Sequence, residues 1–456
     1  MKKVVVIGAG MSGLACAWAL RGKAEVVVLE ASDRVGGNVI TASQDGFVMD
    51  AGPDAWVTTK PEATALAREI GLDDEMIGTR PEFRRVYVAW KSRLHPMPEG
   101  VVLGVPTRIT PMVATRLFSL RGKARMGLEL FVPPKKWEGD EDESIGAFVE
   151  RRLGREATDR LAAPLLGGIF AGDAQKLSIR AAFPQFVEQE KKYGSLIRAM
   201  RASRKTQKAP SNGKSPSAFV SLRSGMSLFP ETLAKKLDVR TKTRADEIAR
   251  VGDRWEITTS SSGKIECDAI VFAAPPPALA KLLEPVDERA SRIAKDIRCG
   301  SSAAVFLAYK RGDVEHPLDA TGFVVPRSSK NEIVACTFVT SKWEGRAPKG
   351  HVLLRAFVGG AGREAALDAT DDALVSIARR ELASLMGRLG EPVMSRVFRH
   401  VQASPQPEVG HLERMRMLSE RLATLPDVHV IGNGYFGTGI PDCIKQGNAA
   451  AKKIAQ

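Results

Sequence analysis

The chain opens with Val4-Val5-Val6-Ile7-Gly8-Ala9-Gly10-Met11-Ser12-Gly13, a strand-like run followed by a glycine-rich turn. Consecutive β-branched residues are typical of a strand that is buried in a parallel sheet. The turn fits the pattern G-x-G-x-x-G. Its first glycine allows a tight turn, its second lets the backbone approach a pyrophosphate, and its third lets the next helix pack closely. We therefore predict a phosphate-binding turn between a strand and a helix, Met11 to Leu20.

A carboxylate stands where the second strand of this unit is expected to end. The apolar run Val26 to Leu29 stops at Glu30, and a carboxylate at that point can accept hydrogen bonds from both hydroxyls of a ribose. The glycine pattern alone is a weak indication, but its position between two such strands favours a dinucleotide. We interpret the following residues as cofactor-binding: Gly8, Ala9, Gly10, Met11, Ser12, Gly13 and Glu30.

The sequence after the second strand carries the first resemblance to a known family. Glu30-Ala31-Ser32-Asp33-Arg34-Val35-Gly36-Gly37 resembles the ExxxRxGG extension of the amine-oxidase-like flavoproteins. The resemblance implies an α/β, Rossmann-type domain that binds FAD rather than NAD. It also implies that Arg34, Gly37 and Asn38 lie along the far side of the diphosphate and flavin.

Two further segments resemble cofactor contacts of the same superfamily. Phe47-Val48-Met49-Asp50-Ala51-Gly52-Pro53-Asp54-Ala55 is similar to the segment that passes beside the isoalloxazine ring. The resemblance implies cofactor contacts for Gly52, Pro53, Asp54 and Ala55. In a register anchored on Val239-Arg240 and Ile248, Ala245 falls where the family holds the adenine through its main chain.

The C-terminal run Ile431-Gly432-Asn433-Gly434-Tyr435-Phe436-Gly437-Thr438-Gly439-Ile440-Pro441-Asp442-Cys443 resembles the ending of the protoporphyrinogen oxidase family. The resemblance implies cofactor contacts for Asn433, Thr438, Gly439 and Ile440, with main-chain amides at a helix start that stabilise negative charge on the flavin. Amine oxidases that bind flavin covalently use a cysteine in an S-G-G-C-Y context. Because that context is missing, we expect FAD to be bound noncovalently.

Segments in the middle of the chain narrow the resemblance to this family. Leu165-Leu166-Gly167-Gly168-Ile169-Phe170-Ala171-Gly172-Asp173 is similar to its helical-domain signature, and Leu353-Leu354-Arg355-Ala356-Phe357-Val358-Gly359-Gly360 resembles its substrate-domain strands. The family implies the oxygen-dependent, six-electron oxidation of protoporphyrinogen IX to protoporphyrin IX, with hydrogen peroxide as the second product. No side chain is assigned as catalytic, because the flavin carries the hydride transfer.

Three residues are candidates for binding the substrate. Phe357 aligns with a pocket-lining position of the family, and Arg84 or Arg85 lies close to where relatives place a carboxylate-binding arginine. A register anchored on Leu94-His95-Pro96 puts Val86 at that position instead.

Other functions remain open on the sequence alone. Coproporphyrinogen III can be oxidised to coproporphyrin III by the same chemistry, and a flavin amine oxidase would share both ends of the chain. A flavin-bearing membrane-surface or porphyrin-handling protein without turnover is a hypothesis of another class.

The resemblance also divides the chain into domains. The expected divisions are an FAD-binding domain at 1–80, 215–290 and 405–456, a mixed-sheet substrate-binding domain at 81–99 and 291–404, an inserted α-helical membrane-binding domain at 100–200, and a flexible loop at 201–214.

Charge and cysteine usage limit the expected partners. The chain has 456 residues and a formal net charge of +14, and 100–128 and 191–230 contain basic but no acidic residues. This favours an anionic membrane surface or a polycarboxylate substrate, whereas the basic segments lack the aromatic residues and motifs of nucleic-acid binding. The five scattered cysteines favour a reducing cytoplasm, and the lack of a long apolar run favours a chain that does not span a membrane. The inserted helical domain with its basic residues resembles the family's membrane-binding domain, which implies peripheral attachment on the cytoplasmic face of the membrane.

Overall fold

Five parallel strands form the central sheet of the first domain in a computed structural model of the chain, which describes residues 1–102, 105–106, 109–206, 217–261 and 263–456. Their spatial order is Asp238–Arg240, Glu25–Leu29, Lys3–Ile7, Ala269–Phe272 and Val428–Val430. The strands predicted from the runs at 4–7 and 26–29 are confirmed, and the first is fully buried from Val4 to Val6. Because all five strands run parallel, their carboxyl ends meet at one edge of the sheet.

Two helices from distant parts of the chain pack side by side on one face of this sheet. Met11–Leu20 follows the first strand, as predicted, and Ile440–Ile454 follows the last. Gly447 lies at their contact, where a Cβ atom would be 2.6 Å from the carbonyl oxygen of Ser12 and 2.8 Å from the amide nitrogen of Cys16. Since both helices follow parallel strands of one sheet, both N-termini lie at the edge where the strands end.

The C-terminal helix begins earlier than the sequence predicts. The pattern indicates a helix from Cys443, whereas the helix begins at Ile440 with Gly439 as its N-cap. Pro441 occupies the first turn, where a proline is tolerated because the amide it replaces has no helical acceptor. The correction agrees with the family resemblance, which implied a helix start at Thr438 to Ile440.

The remaining elements of this domain cover the two faces of the parallel sheet. One face carries helices Pro61–Glu69 and Leu228–Ala234, a small sheet of Trp56–Val57, Phe219–Leu222 and Met76–Gly78, and the short helix Asp73–Glu75. The other face carries strands Ala245–Val251, Arg254–Thr259 and Gly263–Cys267 and helices Pro276–Leu283, Glu288–Lys295 and His411–Leu422. A hairpin of Thr41–Gln44 and Phe47–Asp50 leads towards the second domain.

A seven-stranded mixed sheet forms the second domain, as expected. Its order is Met394–Pro405, Cys299–Lys310, His351–Gly359, Ile333–Phe338, Gly322–Val324, Tyr87–Trp90 and Arg93–Pro96. Helix Asp371–Met386 covers one face over a buried core. The opposite face packs against the first domain at one side and against the helical region at the other. Short helical segments connect the strands at Pro81–Phe83, Arg311–Asp313, Val339–Lys342 and Glu364–Asp368.

The third region, which we call the helical insert, lies in sequence between the strand Arg93–Pro96 and the strand Phe219–Leu222. Its elements are the hairpin Val101–Val102 and Val105–Pro106 and the helices Ile109–Ala114, Leu120–Gly127, Leu128–Phe131, Ile145–Leu153, Arg155–Ala157, Thr158–Gly167, Ile179–Ala182, Pro184–Tyr193 and Leu196–Thr206. In its core, the fully buried Arg152 pairs with the equally buried Glu129 and Glu190. No helix among the described residues is long and apolar enough to cross a bilayer.

The predicted loop at 201–214 needs a correction at its start. Residues 201–206 continue the helix Leu196–Thr206, and the rest of that stretch, 207–214, lies outside the described residues.

Replacing Gly447 by Val is expected to force the two packed helices apart. Overpacking of this kind costs about 1–3 kcal/mol, so the midpoint of thermal unfolding should fall by several degrees. Ala449→Val, on the exposed face of the same helix, introduces the same side chain and should leave the midpoint nearly unchanged. Equal shifts in the two variants would contradict the close contact at Gly447.

Candidate active site

The glycine turn leaves open space above the start of helix Met11–Leu20. Gly8 has a φ of +111°, and a Cβ there would be 2.8 Å from the carbonyl oxygen of Ala273. At Gly10, by contrast, no atom of the described residues beyond its own chain neighbours lies within 4 Å of where a Cβ would be, and no side chain among them caps the helix. Helix starts with unused amides bind anions. The turn therefore fits a diphosphate.

Glu30 lies beside this turn at the end of its strand. One carboxylate oxygen accepts a hydrogen bond from the Ala9 amide at 2.9 Å, and the other accepts from the amide and hydroxyl of Ser32 at 2.9 and 2.8 Å. The Thr243 amide donates to the Glu30 carbonyl at 2.8 Å, two residues before the buried Ala245. The expected ribose and adenine contacts are thus brought to the same edge of the sheet.

Arg34 holds the glycine pair over the turn instead of forming a surface ion pair. Its guanidinium donates to the carbonyl oxygens of Gly37 at 2.8 Å, Val35 at 3.3 Å and Val39 at 3.4 Å. The pair lies so close that a Cβ at Gly37 would be 3.4 Å from the Gly10 Cα. Asn38 is directed elsewhere: its amide donates to the Ala403 carbonyl at 2.7 Å and ties this loop to the mixed sheet.

The second glycine turn presents another uncapped helix start at the same edge. Among the described residues, no side chain caps the helix at Gly439, so the amides of Thr438, Gly439 and Ile440 are available to a ligand. Gln446 shapes the turn by accepting from the Gly432 amide at 3.0 Å and donating to the Gly437 carbonyl at 3.3 Å. Sequence reasoning missed Gln446, and predicted Asn433 is half-buried within the same turn.

Asp442 and Cys443 follow this helix start and have different roles from each other. Cys443 is buried. The Asp442 carboxylate accepts from the ammonium group of Lys60 at 2.5 Å.

Charged groups of the mixed sheet hold the loop 50–55, which the resemblance puts beside the flavin. Asp54 accepts from Lys342 at 2.7 Å and from the Trp343 indole at 3.0 Å. Burial works to raise the pKa of Asp54, but the charges of Lys342 and Arg355 and these hydrogen bonds outweigh it and lower the pKa to about 2. The Asp54 carboxylate is therefore ionised and serves to anchor the loop.

A second ion pair and a close contact at Gly52 complete the anchoring of this loop. Asp50 pairs with Arg346 at 2.9 Å, and both side chains are buried. Burial raises the pKa of Asp50, opposed by Arg346. A Cβ at Gly52 would be only 1.7 Å from the Asn38 carbonyl oxygen, so no other residue fits there. Pro53 is exposed and Ala55 half-buried at the edge of the loop.

Arg355 and His400 converge on the main chain of the same loop. Both donate to the carbonyl oxygen of Ala51, His400 at 3.1 Å. The Arg355 guanidinium also lies 4.4 Å from the centre of the Phe357 ring. Burial lowers the pKa of both groups. Sequence reasoning missed these residues, although an arginine inside the apolar run Leu353-Leu354-Arg355-Ala356-Phe357 is a signal that could have been used.

A partly exposed row of side chains crosses the middle of the mixed sheet. The strand register pairs Phe357 with Ala335 and Ala335 with Val324, so the three side chains point to the same face. We call them the apolar strip. Neighbours beyond both ends of the row are buried, Ala304 against the first domain and Val88 against the helical insert. The strip therefore lies partly exposed between the first domain and the helical insert, in a gap that we call the cleft. Phe357 lies in the strip, and its pocket-lining role stays a prediction.

Arg84 and Arg85 are exposed and are not brought beside Phe357. The Thr321 amide donates to the Arg85 carbonyl at 2.8 Å, which continues the strand pairing of Tyr87–Trp90. By alternation, Arg85 shares the side of Tyr87, which packs on the opposite core, whereas Val86 shares the side of Val88 and the cleft. The register that placed Val86 at the family's arginine position fits this geometry, and the roles of Arg84 and Arg85 stay predictions.

The chain matches a family model described as flavin containing amine oxidoreductase over residues 11–455. It is 37% identical to coproporphyrinogen III oxidase of Bacillus subtilis, over 98% of this chain and 97% of that protein. It is 28% identical to the chloroplastic protoporphyrinogen oxidase of Nicotiana tabacum, over 99% of this chain and 85% of that protein.

Solved structures agree with this fold. A crystal structure from Exiguobacterium sp. 255-15, provisionally named a protoporphyrinogen oxidase, has a TM-score of 0.88 at 30% identity and covers 100% of this chain and 98% of its own. Putrescine oxidase, at 17% identity and a TM-score of 0.69 over 99% of this chain and 98% of its own, shares the fold.

The expected α/β cofactor domain, the mixed sheet and the flavin cofactor are thereby confirmed. The chain belongs to the flavin-containing amine oxidoreductase family, together with its porphyrinogen oxidase relatives.

Proposed function

We propose that the chain is an FAD-dependent enzyme that oxidises a porphyrinogen to the corresponding porphyrin. The observation that carries the proposal is the apolar strip, an aromatic and aliphatic floor next to the loop 50–55. A flat tetrapyrrole has an apolar face that suits such a floor. The names of the curated relatives support the same reaction class.

The chain's own residues have the task of holding FAD between the two helix starts. The amides at 10–13 are suited to the diphosphate, and those of Thr438, Gly439 and Ile440 to the pyrimidine edge of the ring. Glu30 is suited to the ribose hydroxyls and the main chain at Ala245 to the adenine. When bound, FAD supplies a hydride acceptor that oxygen reoxidises to give hydrogen peroxide, so that three rounds remove six electrons.

The loop 50–55 and the strip orient the two reactants towards each other. The ion pairs of Asp50 and Asp54 fix the loop beside the ring position, and Arg355, on the same strand and face, holds Phe357 by a cation–π contact. A rigid floor of this kind holds the substrate at a constant distance and excludes water from one of its faces.

Two porphyrinogens are candidates for the substrate. The sequence resemblance favours protoporphyrinogen IX as the substrate. Coproporphyrinogen III, the alternative left open by the sequence, is favoured by the names of relatives at 37%, 34% and 33% identity, against 28% for the plant protoporphyrinogen oxidase. The two differ in carboxylate number, so the charges around the cleft decide between them.

We also propose that the helical insert docks on an anionic membrane face, which for the expected cytoplasmic protein is the cytoplasmic one. Large apolar side chains are exposed on it, including Leu120 at 83% and Phe131 at 79%. Arg116 and Arg121 are exposed nearby in sequence. Apolar anchors combined with basic residues are typical of interfacial binding.

Purified protein that has its flavin is expected to form porphyrin from both porphyrinogens faster than autoxidation. The measurement is porphyrin fluorescence over time, with protein stripped of flavin as the control, and oxygen consumption gives the number of electrons removed. Turnover of simple amines without any turnover of porphyrinogens would overturn the proposed function in favour of an amine oxidase.

Replacing Glu30 by Ala is expected to weaken FAD binding roughly tenfold to a hundredfold, because hydrogen bonds to a charged group contribute about 1.5–3 kcal/mol. Flavin titration of the stripped protein measures the dissociation constant. Glu25→Ala, at the exposed start of the strand that Glu30 follows, is the matched control and should bind FAD like the unchanged protein. If the two variants bind alike, Glu30 does not contact the cofactor.

The double change Leu120→Asn and Phe131→Asn is expected to lower partition onto anionic vesicles about tenfold or more, since burying such side chains contributes about 1.5–3 kcal/mol each. Vesicle flotation at low salt measures it. Val401→Asn, at a residue 72% exposed in the mixed sheet, is the control. Equal flotation of all variants would count against docking through the insert.

A further inference from the structure

Two arginines meet where the helical insert touches the end of the strand that carries Phe357. Arg327 donates to the carbonyl oxygens of Gly172 at 3.2 Å and Ala361 at 2.9 Å. Arg363 donates to the carbonyl oxygen of Arg327 at 2.9 Å. We call Arg327 and Arg363 the arginine pair. Both side chains are half-buried, so they remain within reach of a ligand.

No carboxylate among the described residues contacts the arginine pair. Every acceptor that the described residues offer these two guanidinium groups is a main-chain carbonyl. Burial lowers the pKa of Arg363 and the charge of Arg327 lowers it further, against a weaker opposing effect of Asp173. By comparison, the buried Arg152 and Arg346 are each paired with a carboxylate. Two adjacent cations that lack such a partner favour an anionic ligand.

The arginine pair lies at one end of the apolar strip. Strand His351–Gly359 runs from Phe357 to Gly359, and the chain then turns through Gly360 and Ala361 to Arg363. The Ala361 amide donates to the Ala171 carbonyl at 2.7 Å, which brings the loop 168–172 of the insert against this turn. Two strands further along the sheet, the strand Gly322–Val324 runs parallel to His351–Gly359, and Arg327 follows Val324 by three residues. A flat ligand lying on the strip therefore has this part of its rim near the arginine pair.

The fork of a guanidinium matches the two oxygens of a carboxylate, and it keeps its charge at every physiological pH. Carbonyl contacts on both sides of Arg327 leave it oriented before a ligand arrives, which lowers the entropic cost of binding. A flat apolar ligand with carboxylates on its rim can therefore lie on the apolar strip and place a carboxylate at the arginine pair.

We propose that the arginine pair binds a carboxylate on the rim of the porphyrinogen and favours the substrate with four carboxylates over the one with two. The inference rests on the proposed function, and it assigns a specificity-determining site to Arg327 and Arg363. Protoporphyrinogen IX has vinyl groups where coproporphyrinogen III has two further propionates, so only the latter has a carboxylate on every ring. Coproporphyrinogen III therefore presents a carboxylate to the arginine pair in every orientation of its ring on the strip.

The test compares Arg363→Gln with Arg311→Gln in the flavin-loaded protein. Arg311 is a matched control because it is half-buried and donates only to carbonyls, those of Val314, His316 and Pro317, at the other end of the sheet. For Arg363→Gln we expect the KM for coproporphyrinogen III to rise roughly tenfold to a hundredfold. We expect kcat to change little and the KM for protoporphyrinogen IX to change less than threefold. Arg363→Lys should restore part of the loss, because it keeps the charge without the fork.

Equilibrium binding of coproporphyrin III and protoporphyrin IX, followed by fluorescence, separates this inference from the proposed function. If the unchanged protein oxidises porphyrinogens but Arg363→Gln behaves like Arg311→Gln with both, the arginine pair is not the specificity site. If the unchanged protein oxidises neither, the proposed function fails, and the binding of the two porphyrins to the Gln variant still decides the inference. A parallel loss for both substrates, or a loss of flavin absorbance, would mean a structural role and would overturn it.

Discussion

The close contact at Gly447 is the constraint on which the cofactor site depends. Only a residue without a side chain lets helix Ile440–Ile454 approach the main chain of Ser12 and Cys16. Because each helix follows a strand of the same parallel sheet, this approach brings two uncapped helix starts to one edge. Their amides give that edge a positive potential on both sides, although the two segments are more than 400 residues apart in sequence. A dinucleotide with a diphosphate in its middle and an electron-accepting ring at one end needs such a double-sided arrangement.

A second set of contacts links the cofactor domain to the floor of the cleft. The ion pairs Asp50–Arg346 and Asp54–Lys342 and the Arg355 and His400 contacts to Ala51 all join the loop 50–55 to the mixed sheet. Since Arg355 also lies on the Phe357 ring, one side chain touches both the loop and the floor. Breaking a buried pair of this type costs about 3–5 kcal/mol, because it leaves a charge without a partner. The distance between cofactor loop and substrate floor is therefore held firmly.

The sequence predicts the parts of this site that a local pattern determines. The spacing of Gly8, Gly10 and Gly13 and the position of Glu30 fix their geometry within one strand–helix–strand unit, and all of them lie where the pattern indicates. Contacts between distant segments could not be predicted, because an arginine, histidine or glutamine that is buried against a loop looks the same in sequence as a solvated one. His400 and Gln446 are of this kind, whereas Arg355 stands inside an apolar run, which is a signal that could have been used. The choice between Arg85 and Val86 depends on strand alternation, and the sequence left more than one register open. A proline at the helix start hid the true beginning at Ile440.

The order of strands in the parallel sheet has a consequence for how the chain is made. Strand Val428–Val430 pairs with Ala269–Phe272, yet the ribosome synthesises it long afterwards, with most of the mixed sheet in between. Until it arrives, Ala269–Phe272 is an open sheet edge of four apolar residues, and such edges invite pairing with other chains. Assembly through contacts so distant in sequence is slow. The nascent protein is thus most exposed to aggregation during the synthesis of residues 273–427, a window in which chaperones would have most to protect.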